Sequence, residues 1–229
     1  SVRHAATLVG ATRLQQVATT AAVMELFDSG SALAARILDH SSVVGGFSRY
    51  LAVHLSLPSD DLFTAGFLHD IGKLMLLESE GESYEQLLAA AAGSADKLHV
   101  AERATLGFDH GVLAAHVMKA WNIPDPIPKV VAWHHESAKA LSFSTHIAAM
   151  VETVRLADAL TYAVENGVTH EGLGDIARHQ SATYLDISEA QLAAIWDELN
   201  DLYARTLDKD GGAAAAPRAK RRPIRRVTP

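Results

Sequence analysis

Apolar residues recur at intervals of three and four along nearly the whole chain, and no sustained alternating segment bounded by hairpin turns interrupts them. The pattern predicts an all-α fold. A first helix covers Arg3 to Phe27. Asp28-Ser29-Gly30-Ser31 then supplies both break and cap before a long helix from Ala32 to about Leu55, and Pro58 ends the turn that follows. Asp60 or Asp61 caps the next helix, Leu62 to about Leu77, in which Phe63, Phe67, Ile71 and Leu74 make an apolar stripe at helical spacing. Gly66, His69, Asp70 and Lys73 make a polar stripe on an adjoining face of that same helix.

Shorter helices are expected over Ser83 to Ala92 and Lys97 to Leu106. Asp109 can cap a helix carrying His110, Leu113, Val117 and Trp121; the cluster Pro124, Pro126 and Pro128 breaks it and can start the next, which carries Trp133, His134 and His135. Ser142 to Val164 is a long amphipathic segment. After a loop rich in Gly and His, Ser188-Glu189-Ala190-Gln191 fits a capping box, in which Ser and Gln side chains satisfy exposed backbone donors at a helix start. That last helix runs to about Leu207. Residues 209–229, a Gly/Ala stretch followed by basic residues, lack the apolar surface needed to offset ordering entropy, so a disordered basic tail is expected behind a domain of residues 1–208.

A chain of 229 residues suits one domain that buries roughly 70% of its unfolded surface. The absence of cysteine excludes disulfides and thiolate metal sites and leaves His, Asp and Glu as the strong ligand types. No apolar run approaches the ~18 residues of a membrane span, so no membrane role is expected and a cytoplasmic setting is. The net charge of −7 conceals a tail of +6 on a body of −13, which argues against a broad phosphate-binding face and leaves nucleic acid, at most, to the tail. The opening Ser1-Val2-Arg3-His4 reads as a cut made inside a longer protein.

Twelve histidines in 229 residues make an isolated His-Asp or His-His dipeptide expected about once by chance. His69 and Asp70, taken alone, could be a hydrogen-bonded pair at a helix contact. The ordered set is much less probable: His40, His69-Asp70, His110, His134-His135 and Asp158, each on a segment assigned to a different helix. Imidazole and carboxylate suit Fe, Mn, Zn, Co or Ni, and two such ions can clamp the attacking and leaving oxygens of a phosphate ester.

The core His69-Asp70-Ile71-Gly72-Lys73, followed by Gly107-Phe108-Asp109-His110 and then Trp133-His134-His135, resembles the HDOD family, the HD-related output domains of bacterial signalling proteins, over about Ser1 to Glu165. The resemblance implies an HD-type multi-helix bundle. It implies one divalent metal on His40, His69, Asp70 and Asp158 and a second, sharing Asp70, completed by His110, His134 and His135. Lys73 would then contact a substrate phosphate or the bridging water. The function so implied is regulation through a signalling protein partner, homo-oligomers included, with the alternative of a metal-dependent phosphohydrolase or phosphodiesterase. Relatives that cleave cyclic di-GMP carry Gly-Tyr-Pro shortly after the His-His pair; Glu136-Ser137-Ala138-Lys139 stands here instead, so that activity is not expected. Arg36 stands where trinuclear relatives have a metal-binding Glu, so no third metal is expected. The helices that precede the segment resembling Ser1 to Val23 in most HDOD proteins are expected to be missing.

Overall fold

The computed structural model of the chain describes residues 31–91 and 95–208, with residues 18, 21–23 and 25–27 of the preceding segment. Every regular element among the described residues is a helix. The bulk of the expected first helix and all of the expected tail lie outside the described residues.

Helix α1 (Ala32–Leu55) starts where Ser31, in extended conformation, accepts from the backbone N–H of Ala34. Its Val43, Val44, Phe47 and Leu51 are buried, and it packs most extensively on α2 (Ser59–Leu68). After α3 (Ile71–Glu80), α4 (Glu82–Ala90) and α5 (Ala95–Leu106), Asp109 caps α6 (His110–Ala120) by accepting from Val112 N–H at 2.8 Å. Pro126 and Pro128 flank the start of α7 (Ile127–Trp133), and the short α8 (Ser137–Phe143) precedes α9 (Thr145–Glu165).

Helix α9 is buried nearly all round: Ile147, Met150, Val151, Val154, Leu156, Ala157 and Leu160 are buried, as are the polar Glu152, Thr153 and Thr161. A helix buried on every side belongs at the centre of a domain, and α9 accordingly touches α1, α2, α7 and α8. The segment expected as a Gly/His loop contains a 3₁₀ turn (His170–Gly172) and two short helices, α10 (Leu173–Ala177) and α11 (Gln180–Tyr184). The capping box of α12 (Glu189–Leu207) forms as expected, with Ser188 and Gln191 exchanging both bonds. This helix closes the bundle by packing Leu192, Ile195, Trp196 and Leu199 toward α1 and α10.

Two expectations need correction. Neither Asp60 nor Asp61 caps α2: Pro58 holds the N-cap position with no side-chain cap bond, and both acids fall inside the first turn, where their charge suits the helix N-terminus. Leu62 to Leu77 is not a single helix, because α2 ends at Leu68 and α3 begins at Ile71. Asp70, at φ −103° and ψ 4°, leaves the helical region, and its carbonyl accepts from Lys73 N–H at 2.9 Å in a tight turn. A turn this short barely disturbs a three-to-four-residue repeat, so the stripe Phe67, Ile71, Leu74 stays buried across it while hiding the break. The His69-Asp70 pair therefore sits at a corner between two helices.

Candidate metal centre

The seven residues singled out in the sequence converge. His40 comes from the middle of α1 and Asp158 from α9; His69 and Asp70 occupy the α2–α3 corner; His110 opens α6; His134 and His135 follow the last turn of α7. Two groups form. In one, His40, His69 and Asp158 offer donor atoms within 4.8 Å of one another; in the other, His110, His134 and His135 do the same.

Asp70 stands between them. Its Oδ2 lies 3.4 Å from His69 Nε2, and its Oδ1 lies 3.2 Å from His110 Nε2, so one oxygen faces each group. Within the first group His40 Nε2 is 2.9 Å from Asp158 Oδ1 and His69 Nε2 is 4.0 Å from it. Within the second, His110 Nε2 is 3.3 Å from His134 Nε2 and 3.1 Å from His135 Nε2.

The far side of each ring explains why the near side points inward. His69 Nδ1 lies 2.6 Å from the carbonyl of Gly66, and His134 Nδ1 lies 2.6 Å from that of Val131. A carbonyl can only accept, so both rings carry the proton on Nδ1 and turn an Nε2 lone pair toward the centre. This is the support that metal-binding histidines use almost universally. Two glycines allow the close approach. A Cβ at Gly72 would stand 2.0 Å from the carbonyl oxygen of His110, and one at Gly111 would stand 2.8 Å from that of Val131.

Electrostatics sharpen the picture. Burial, assisted by the neighbouring histidines, pushes the His134 and His135 pKa values well below the ordinary range. Burial opposes the charge on Asp70, but His69 and Lys73 outweigh it and hold its carboxyl well below the usual range. His40 is the opposite case: burial disfavours its charge, yet the hydrogen bonds to Asp158 and Glu165 raise its pKa to about 10. The anionic Asp70 and the neutral rings of His134 and His135 thus meet in one buried site.

The donor set fits a metal ion. Asp70 Oδ1 is buried without a hydrogen bond, since the nearby His110 nitrogen is not aligned to donate to it. Any proton on His110 Nε2 could serve only one of the three acceptors around it. Two nitrogens bound at ~2.0–2.1 Å to a tetrahedral ion stand roughly 3.3 Å apart, close to the spacings in the His110 group.

Lys73, buried on α3, donates to Asp70 Oδ2 at 2.6 Å. With His40 and Asp70 it lines a cleft of about 980 Å³ whose other walls include Arg36, Leu88, Leu98 and Tyr162. Asp39, Glu85 and Glu165 also line it.

Several contributors carried no signal in the sequence. Glu165 accepts from His40 Nδ1 at 3.1 Å. Arg103 joins Asp109, which caps the helix of His110, to Glu136, the residue after His135. Arg155 donates to the backbone carbonyl of His134 at 2.7 Å and lies 3.4 Å from the buried Glu152. His99 stacks on His135 with ring centroids 4.6 Å apart. Such partners are unremarkable acids and bases until the fold brings them together.

The model of the HDOD domain matches residues 1–137. The chain belongs to the HDOD family. Three solved structures share its fold. A candidate phosphohydrolase from Shewanella amazonensis SB2B is 19% identical with a TM-score of 0.70, covering 90% of this chain and 77% of that one. An HDOD domain protein of unknown function from Geobacter sulfurreducens is 20% identical with a TM-score of 0.67, covering 90% and 74%. A candidate metal-dependent phosphohydrolase from Shewanella amazonensis SB2B is 20% identical with a TM-score of 0.58, covering 90% and 72%. At these identities the likeness speaks for the HD-type helical fold alone. No curated protein matches the chain. No helix among the described residues is long and apolar enough to cross a membrane.

Proposed function

We propose that this HDOD protein holds two divalent transition-metal ions, one on His40, His69 and Asp158 and one on His110, His134 and His135 with Asp70 shared, and hydrolyses a small phosphate ester in the adjoining cleft. The carrying observation is the division of Asp70, with one oxygen toward each group of donors. When bound, such a pair supplies Lewis acidity toward phosphoryl oxygens and the means to activate water. The chain's own residues do the rest. Lys73 keeps its proton because Asp70 offsets the cost of burial, and it brings a positive charge to the lining of the cleft where a phosphate would sit. Apolar walls at Leu88 and Leu98 exclude water from one side of the substrate. The acids in its lining, Asp39, Glu85 and Glu165, disfavour a polyphosphate, so a compact monoester or diester is the class that fits.

The chain loaded with Mn²⁺ or Fe²⁺ is expected to hydrolyse bis(p-nitrophenyl) phosphate, and Asp70→Asn to abolish the turnover. If the loaded protein cleaves neither this ester nor any of a panel of cyclic dinucleotides, the hydrolase reading falls.

A second reading has the centre serve signalling through a protein partner, with the metal as a structural or sensory element. It is favoured by the shortage of substrate-binding cations: Lys73 is already paired with Asp70 and His40 with Asp158, which leaves Arg36 among the bases in the cleft lining. It predicts metal-dependent capture of a partner or a change of oligomeric state without turnover, in a bacterial cytoplasm.

A further inference from the structure

Helix α5 contributes none of the seven residues, yet Glu102 on it is completely buried beside one of them. Its two oxygens are divided. Oε1 accepts from the hydroxyl of Tyr84, on α4, at 2.5 Å. Oε2 accepts from the backbone N–H of His110 at 3.0 Å and from its ring Nδ1 at 2.7 Å. A carboxylate only accepts, so the ring must present Nδ1–H, which turns Nε2 toward His134, His135 and Asp70. Burying a carboxylate is costly, and if packing were its only task an apolar side chain of similar volume would serve as well or better.

Three of the other inward-facing rings have different supports. His69 and His134 rest on neutral backbone carbonyls, and His40 rests on Glu165, whose side chain is 29% exposed at the cleft. Glu102 is thus the enclosed anion behind the group of His110, His134 and His135, where its charge both raises the basicity of the His110 ring nitrogen and compensates a cation.

We propose that Glu102 is a positioning residue, held by Tyr84, that fixes His110 as a donor to the second metal and so makes that ion's binding separable from the first. The proposal rests on the reading of the centre as a metal site. Tyr84 acts one step further back: without its hydroxyl, Oε1 loses its hydrogen bond and Glu102 is free to rotate away from His110.

Co²⁺ titrated calorimetrically into the full chain, with the bound metal counted by elemental analysis, tests this. His135→Ala identifies the isotherm of the second ion. Glu102→Gln keeps the shape and an acceptor oxygen but removes the charge; it is expected to weaken the second ion by roughly 10–100-fold and leave the first unchanged. Imidazole ¹⁵N spectra of the metal-free variant should show His110 no longer fixed with its proton on Nδ1. Tyr84→Phe should produce a smaller loss at the same ion, and it carries the test by the same criteria if Glu102→Gln does not fold. Affinities within twofold of wild type at both ions, or equal losses at both, would overturn the role of Glu102 while leaving the metal centre standing. A wild-type chain that takes up no Co²⁺ would overturn both together.

Discussion

The same substitution at two helical glycines should have opposite effects. In α3, a Cβ at position 72 would lie 2.0 Å from the His110 carbonyl oxygen and 2.7 Å from its carbonyl carbon, both rigid backbone atoms. Restoring ordinary contact near 3.4 Å requires a displacement of roughly 1.4 Å between α3 and the start of α6. Overpacking of this kind costs about 1–3 kcal/mol, and a backbone clash belongs at the upper end. Ala returns up to ~1 kcal/mol in helix propensity, so Gly72→Ala should lose about 2 kcal/mol net. With an m-value of roughly 2 kcal/mol/M, the urea midpoint of the metal-free chain falls by roughly 1 M. At Gly46 in α1 the nearest atom to a new Cβ is 3.7 Å away, on the Leu202 side chain. Gly46→Ala should therefore be neutral or stabilising by up to ~1 kcal/mol. A shift of His110 by even half of the required displacement exceeds the ~0.5 Å tolerance of a functional constellation, so Gly72→Ala should also lose the second metal. If Gly72→Ala and Gly46→Ala gave equal urea midpoints, or if Gly72→Ala bound two ions as wild type does, the packing argument for the centre would be refuted.

Three further outcomes follow from the charged contacts. In the chelated chain His40, raised to about 10, stabilises the fold fully below its unfolded value near 6.5, and that contribution is lost as pH rises through about 10; the melting temperature should fall between pH 7 and 10, and His40→Gln should flatten the decline. Equal pH dependence in both proteins would contradict the pairing with Asp158 and Glu165. Arg155→Met removes the cation 3.4 Å from the buried Glu152, whose hydrogen bond from Ser181 remains, and frees the His134 carbonyl, so urea unfolding should show a loss of about 3 kcal/mol, partly restored by adding Glu152→Gln. A loss under ~1 kcal/mol would show that the pair is not structurally important. Arg103→Gln should loosen the two turns that carry His110 and His134-His135, read as faster backbone hydrogen exchange over residues 107–111 and 134–137; unchanged exchange would rule out a bracing role.

The helices and the seven converging residues were legible because each leaves a local mark: periodic apolar positions, caps at Ser31, Asp109 and Ser188, and an ordered run of scarce ligand types. The α2–α3 corner was not legible, since a tight turn keeps the stripe of Phe67, Ile71 and Leu74 nearly in phase. The short α10 and α11 were hidden by Gly, His and Thr, which weaken local helical preference until packing against α9 and α12 decides the matter. Glu102, Glu165 and Arg155 sit at ordinary positions on their helices, and their importance comes from partners the fold supplies, such as His40, 125 positions away from Glu165. Gly72 lay inside a recognised motif, but its reason is the His110 backbone pressed against it, a contact no local pattern reports.

Metal stoichiometry decides whether the convergence is a metal centre. The purified chain, incubated with Co²⁺ or Mn²⁺ and freed of loose ions, should retain about two ions by elemental analysis, with His69→Ala and His135→Ala each losing one. Retention of no transition metal, together with a His69→Ala variant indistinguishable in metal content and stability, would contradict the account.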